Sequence, residues 1–163
     1  MTTPQIEIVR VDFSNARHRT DLPQLINAYA QDPMGNAQPL PPDVLARLPD
    51  ELGARPHACS VLAYVDDEPA GFVNAFEGFS TFAARPLLNV HDVMVLSKFR
   101  GLGLSQRLLS EMAAIARERG CCKLTLEVLS GNAVAKAAYR RFGFSNYQLD
   151  PSAGIAEFWQ MSL

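Results

Sequence analysis

The stretch Arg100-Gly101-Leu102-Gly103-Leu104-Ser105 constrains the fold more than any other, because an apolar run from Leu87 to Leu96 precedes it and a strongly helical segment, Gln106 to Arg119, follows. A glycine-rich turn between a strand and a helix leaves backbone N–H groups unpaired at the positive end of the helix dipole. That is the simplest way to build a phosphate or pyrophosphate site. The helix is supported by its own pattern: Leu104, Leu108, Met112 and Ile115 form one apolar stripe, while Arg107, Glu111, Arg117 and Glu118 fall mostly away from it. Arg119-Gly120 is its expected stop.

The remaining pattern places further elements around this unit. Ile6 to Val11 alternates as a half-buried strand, and Asn15 to Gln31 reads as a helix with Leu22, Leu25, Ile26 and Tyr29 on one face. Asp32-Pro33-Met34-Gly35 ends it, a Pro-rich connection follows, and a short helix is expected over Asp43 to Leu52. Val61 to Val65 and Ala70 to Phe76 read as strands joined at Asp66-Asp67-Glu68-Pro69, and Gly78 to Pro86 as a loop or strand edge. Downstream, Lys123 to Leu129 reads as a strand and Ala133 to Phe142 as a helix ending at Gly143, with closing strands near Phe144–Leu149 and Ala156–Leu163. The order βα(α)βββαβαββ, without repeat or linker, predicts one mixed α/β domain over residues 1–163, a central sheet with helices on its faces.

Composition narrows the function classes. At 48% hydrophobic and 20% charged the chain is in the ordinary globular range. A net charge of −2 gives no electrostatic argument for nucleic acid or an anionic membrane, and no apolar run approaches a membrane span. The N-terminal residues lack the basic and apolar regions of a signal peptide. Cys59, Cys121 and Cys122 have neither metal-ligand spacing nor an even count, so reduced thiols in a cytoplasmic protein, and no metal, are expected.

The glycine turn is a poor dinucleotide fingerprint, because Gln106 stands where the third glycine belongs, and it is no P-loop, because no Gly-Lys-Ser/Thr follows. From Val90 to Phe144, however, the sequence resembles the GNAT superfamily of N-acetyltransferases. That family's acyl-CoA signature, Arg/Gln-x-x-Gly-x-Gly/Ala, stands here as Arg100 to Ser105, with Ser in place of the last small residue. Leu126-Glu127-Val128, then Asn132, Ala135, Tyr139 and Gly143-Phe144, resemble the family's second half. The resemblance implies an α/β fold with a mostly antiparallel central sheet. It also implies transfer of an acetyl group from acetyl-CoA, as acyl donor, to a primary amine of a small molecule of polyamine, amino-acid or aminoglycoside type. Alternatives are a non-catalytic acyl-CoA-binding module, a protein N-acetyltransferase, and a transferase of a larger acyl group.

Roles follow residue by residue from the resemblance. Gly101 and Gly103 would let the backbone approach the pyrophosphate, with N–H groups from Gly101 through Leu102, Leu104 and Ser105 to Gln106 donating to it. Arg100 would shape or charge that site, or form a surface ion pair. Val93, Met94 and Val95 would pair with the pantetheine arm as with an added strand. Tyr139 would protonate the departing thiolate, whose pKa near 8.5 makes the acid helpful and not indispensable. Asn132 would bond the pantetheine, cap the following helix, or both.

The attacking amine must lose a proton first. His91-Asp92 stands where polyamine-type members carry Glu-Asp, so His91 is either the base or a structural histidine, with Glu77, Asp92 and Glu127 as the next candidates. The acceptor wall is expected from Tyr29, Asp32, Met34, Phe76, Glu77, Phe79, Phe82 and His91, with Asp32 and Glu77 holding a cationic amine. A homodimer is expected from the family, with Phe158-Trp159-Gln160-Met161 either an interface strand or core.

Overall fold

A five-stranded sheet in the order β1-β2-β3-β4-β5 organises the computed structural model, which describes residues 3–35, 37–147, 150, 152, 154 and 156–163. The strands are β1 (Ile6–Arg10), β2 (Ala58–Val65), β3 (Glu68–Ser80), β4 (Arg85–Val95) and β5 (Leu124–Leu126). The helices are α1 (Ala16–Gln31), α2 (Pro42–Gly53), α3 (Leu104–Glu118) and α4 (Ala133–Phe142). The β4–β5 pair is parallel, and β1–β2, β2–β3 and β3–β4 are antiparallel. The mixed, mostly antiparallel α/β sheet expected from the sequence is therefore the observed fold. The chain divides into two compact units, Met1–Leu126 and Glu127–Leu163.

Within the first unit the helices start where local chemistry lets them. The Asn15 side chain accepts the N–H groups of Arg17 and His18 at the start of α1, and Pro42 opens α2, where no N–H is needed. The β2–β3 turn, Asp66-Asp67, has positive φ at both residues (48° and 65°), the backbone that matches the twist of a tight hairpin. On one sheet face Leu62, Tyr64, Phe72 and Met94 pack with Leu22, Leu25 and Leu52 of α1 and α2. On the other face α3 packs on β2, β3 and β4. It buries Leu104, Leu108, Leu109, Met112 and Ile115, the stripe read from the sequence with Leu109 added. Arg10 ties β1 to α3, its guanidinium 2.6 Å from Glu111 and held bidentately by Glu118 at 2.6 and 2.7 Å. Gly71 is required by close approach: a Cβ there would stand 2.6 Å from the Met94 carbonyl oxygen.

Three readings need correction. Of the two readings of Gly78 to Pro86, loop or strand edge, the loop holds only for the turn at 81–84: β3 continues to Ser80 and β4 begins at Arg85, one long hairpin with Phe79 opposite Pro86. The strand expected over Lys123 to Leu129 is only Leu124–Leu126, because it pairs with β4 at three positions and no further. No closing strands form among the described residues. Phe144 to Tyr147 is irregular, Gln148 and Leu149 lie outside the described residues, and 156–163 is irregular with Phe158, Trp159 and Met161 exposed. Alternation of apolar residues signals a strand only where a neighbour completes the ladder.

The second unit contains α4. Asn132 caps it by accepting the Ala135 N–H at 3.1 Å. At its end Gly143, at φ 118°, and Phe144 close a double capping turn: the Gly143 N–H reaches Arg140 O and the Phe144 N–H reaches Tyr139 O. The accompanying side-chain contact is Tyr139 edge-on to Phe144, centroids 5.9 Å apart.

Candidate active site

The β4–β5 ladder ends at Val90↔Leu126, while β4 runs on to Val95 with a strand partner on its β3 side alone among the described residues. The free edge includes Val93, Met94 and Val95, whose backbone groups the sequence reading offered to an extended amide chain. Met94 is buried and the two valines are half-buried. One of the edge carbonyls, Val95 O, accepts a bond from Arg100 Nε at 3.3 Å.

A single 3-10 turn, Ser97–Phe99, leads from this edge into the glycine turn. Gly101 and Gly103 have φ of 87° and 74°, left-handed values that cost an L side chain roughly 1–2 kcal/mol. Among the described residues nothing lies within 4 Å of a Cβ built on either, which leaves the space above the turn open to a ligand. The first helical bond is Arg107 N–H to Gly103 O, and Leu104 and Ser105 precede it. Among the described residues no side chain caps α3, and no acidic residue lies in its first turn, whereas asparagines cap α1 and α4. An uncapped, carboxylate-free N-terminus suits an anion such as a pyrophosphate. Leu102 is exposed and Gln106 half-buried on the same turn. The Arg100 guanidinium pairs with Asp32 at 3.5 Å, tying the turn to the C-terminal end of α1.

The β3–β4 register shifts in the middle of the sheet. Asn74 stands opposite Asp92 and Ala75 opposite Val90, so His91 is an extra residue, a β-bulge. In a regular strand His91 and Asp92 would point to opposite faces. Here His91 meets the Phe76 ring and Asp92 meets the side chain of Asn74, and Phe72, Asn74 and Phe76 alternate onto one face. The bulge therefore brings His91 and Asp92 to the face covered by α1. Tyr29 of α1 lies on that face, edge-on to Phe72. Burial first, then the negative charges of Asp92 and Asp32, push the Tyr29 phenol above its ordinary pKa, so it remains protonated at neutral pH.

The structure thus joins Tyr29, Phe76, His91 and Asp92 on one face, with Asp32 close to Tyr29, and turns Glu77 and Phe79 to the other side of β3. Glu77 faces α3 and pairs with Arg119 at 3.2 Å, and Phe79 follows on that side by the strand's alternation. The assignment of Glu77 to a cationic amine meets a physical obstacle, since its charge is already balanced. Asp32 is likewise paired, with Arg100, and its other oxygen accepts the Met34 N–H. Met34 and Phe82 are exposed. Tyr139, Asn132 and Glu127 belong to the second unit.

Sequence reasoning missed Asn74 and Ser60. They are the buried polar side chains among the described residues, 3% and 4% exposed. A lone asparagine inside the apolar run Ala70 to Phe76 was the available signal. The thiols of Cys59 and Cys121 are pushed up, chiefly by burial, which argues against nucleophilic roles at neutral pH.

Comparison with known proteins agrees with this fold. The sequence model of the acetyltransferase (GNAT) family matches residues 22–144. A streptothricin acetyltransferase of Streptomyces lavendulae is 34% identical over 118 residues, covering 69% of this chain and 62% of that protein. A thialysine N-epsilon-acetyltransferase of Caenorhabditis elegans is 31% identical over 85 residues, covering 52% of each. The chain thus spans half to three fifths of these relatives. The crystal structure of a probable acetyltransferase superposes with a TM-score of 0.80 at 20% identity, covering 96% of this chain and 98% of that one. An aminoglycoside N-acetyltransferase crystallised with CoA superposes at 0.78 and 16% identity, covering 99% and 98%. These two likenesses establish the shared fold.

Proposed function

Because this chain belongs to the acetyltransferase (GNAT) family, we propose that it transfers an acetyl group from acetyl-CoA to a primary amine of a small molecule. The observation that carries the reading is the β4 edge left without a β5 partner beyond Val90, continuing into the uncapped, glycine-opened N-terminus of α3. An extended pantetheine amide chain fits the first, and a pyrophosphate the second.

In this reading the amine nitrogen attacks the thioester carbonyl carbon directly. The C–S bond breaks, the amide forms, and coenzyme A leaves as a thiol. His91 accepts the proton that the ammonium must lose, and Tyr139 gives a proton to the departing sulfur. Backbone N–H groups near Val95 meet the oxyanion of the tetrahedral intermediate. The relatives named for streptothricin and thialysine support a small-molecule acceptor. Three free thiols support a reducing, cytoplasmic setting, and no helix among the described residues is long and apolar enough to cross a membrane. Exposed Phe158, Trp159 and Met161 support a homodimer with that segment at the interface, which sedimentation of the full chain checks.

The test is an acceptor screen with acetyl-CoA over polyamines, amino acids, aminoglycosides and peptide N-termini, read as free thiol release, together with thermal stabilisation by acetyl-CoA. Acetylation of a small amine is the expected result. Stabilisation without transfer to any amine would leave a coenzyme-binding module, and acetylation of peptides alone would make it a protein acetyltransferase.

A further inference from the structure

Ser60, Asn74 and Asp92 stand directly opposite one another across β2, β3 and β4. Ser60 Oγ donates to Asn74 Oδ1 at 2.7 Å, and Asn74 Nδ2 donates to Asp92 Oδ2 at 3.1 Å. The neighbours of this polar row are Leu62, Phe72 and Met94 on one side and Ala58, Phe76 and Asn89 on the other, apolar on both sides of Ser60 and Asn74. A row of valines at the two buried positions would pack there without having to satisfy polar groups, so stability alone does not explain the choice.

Two further features give the row a direction. The chemistry of each member fixes the next. A carboxylate only accepts, so the Asn74 amide must turn its nitrogen toward Asp92 and its oxygen toward the Ser60 hydroxyl. The row also runs from the buried middle of the sheet to the strand whose far edge is open. There it ends in a charge that no ion pair balances among the described residues. The bond engages one carboxylate oxygen, Oδ2. The aromatic rings of Tyr29 and Phe76 share that face, a setting suited to an alkylammonium.

We propose that Asn74, oriented by Ser60, is a positioning residue that fixes the Asp92 carboxylate so that its second oxygen receives the ammonium group of the acceptor. This rests on the acetyltransferase reading above and deepens it. Asp92 is the anchor for the cation, His91 beside it in the bulge remains the base, and Asn74 acts only through Asp92.

A double-mutant cycle tests this, run on the amine with the highest kcat/KM in the acceptor screen. Asn74→Val is expected to raise the acceptor KM by about tenfold or more, the worth of a hydrogen bond to a charged group, with the acetyl-CoA KM within about twofold of the parent. In an Asp92→Asn background the same substitution should add nothing to the acceptor KM. Ser60→Ala, which keeps the donor and loses only its orientation, should give a smaller rise that also vanishes in that background; it carries the test if Asn74→Val does not fold. An active parent whose acceptor KM is unmoved by these changes, or in which the effects of Asn74 and Asp92 multiply, overturns the positioning role alone. A parent that acetylates no amine overturns the activity and the positioning role together.

Discussion

His91 meets Phe76 edge-on, with ring centroids 5.5 Å apart and planes at 82°. The contact is available because His91 is the extra residue of the β4 bulge, and it holds the imidazole on the same face as Asp92. If His91 takes the proton of the acceptor amine, His91→Ala should lower kcat/KM by roughly 10²–10⁴-fold, the usual share of a general base. Acetyl-CoA affinity should stay close to that of the parent. A pH–rate profile of unchanged shape and height would leave His91 as a packing residue.

Tyr139→Phe should reduce kcat by about tenfold to a hundredfold without abolishing it, because a thiolate is a tolerable leaving group unaided. The ring contact with Phe144 needs no hydroxyl, so the capping turn of α4 should persist and acetyl-CoA affinity should change little. Titration calorimetry beside steady-state kinetics separates the two effects; equal losses in both would make the phenol a structural group.

Gly103→Val should weaken acetyl-CoA binding more than it weakens the fold. The substitution forces a β-branched residue to φ 74° and fills the open space above the turn. Thermal shift with and without acetyl-CoA is the measurement: a moderate fall in the free-protein Tm and near loss of the ligand-induced rise are expected.

Gly71→Ala should act on stability instead. Its Cβ would press on the Met94 carbonyl oxygen within β4, and backbone in the middle of a sheet yields little. A loss of about 1–3 kcal/mol in chemical denaturation is expected, typical of overpacking.

Acid should loosen the tie between β1 and α3. Hydrogen bonds from Arg10 hold the Glu118 carboxyl below its ordinary pKa. The folded value therefore lies below the unfolded one. This contribution is complete above the unfolded value, near 4.3, and drains as pH falls through the folded value. Glu118→Gln should flatten the acid limb of a Tm-against-pH curve, and an unaltered limb would show that the pair contributes nothing there.

Local signals in the chain carried much of this. Asn15 and Asn132 mark helix starts because a short polar side chain satisfies the first N–H groups, and those partners lie two or three residues away. Gly101, Gly103 and Gly143 take positive φ, a conformation open to glycine without a steric cost. The four-and-three spacing of Leu104, Leu108, Met112 and Ile115 needs only one helix to express it.

The candidate site was legible only as a set of residues. The chain offers Tyr29 and His91 beside Glu77 and Phe79, but their division between two faces depends on a register shift that one strand cannot display by itself. The asparagine at position 74 carried no meaning until Ser60 and Asp92 stood opposite it.

The sequence by itself determined the four helices, the glycine-opened start of α3 and the family, because periodicity, caps and glycine conformations act within a turn or two of the chain. Only the tertiary structure decided where the β4–β5 ladder stops, which edge stays open, and that His91 and Asp92 share a face with Tyr29. Those outcomes are set by pairing between segments far apart in the chain, where one extra residue in a strand reverses the side to which its neighbours point.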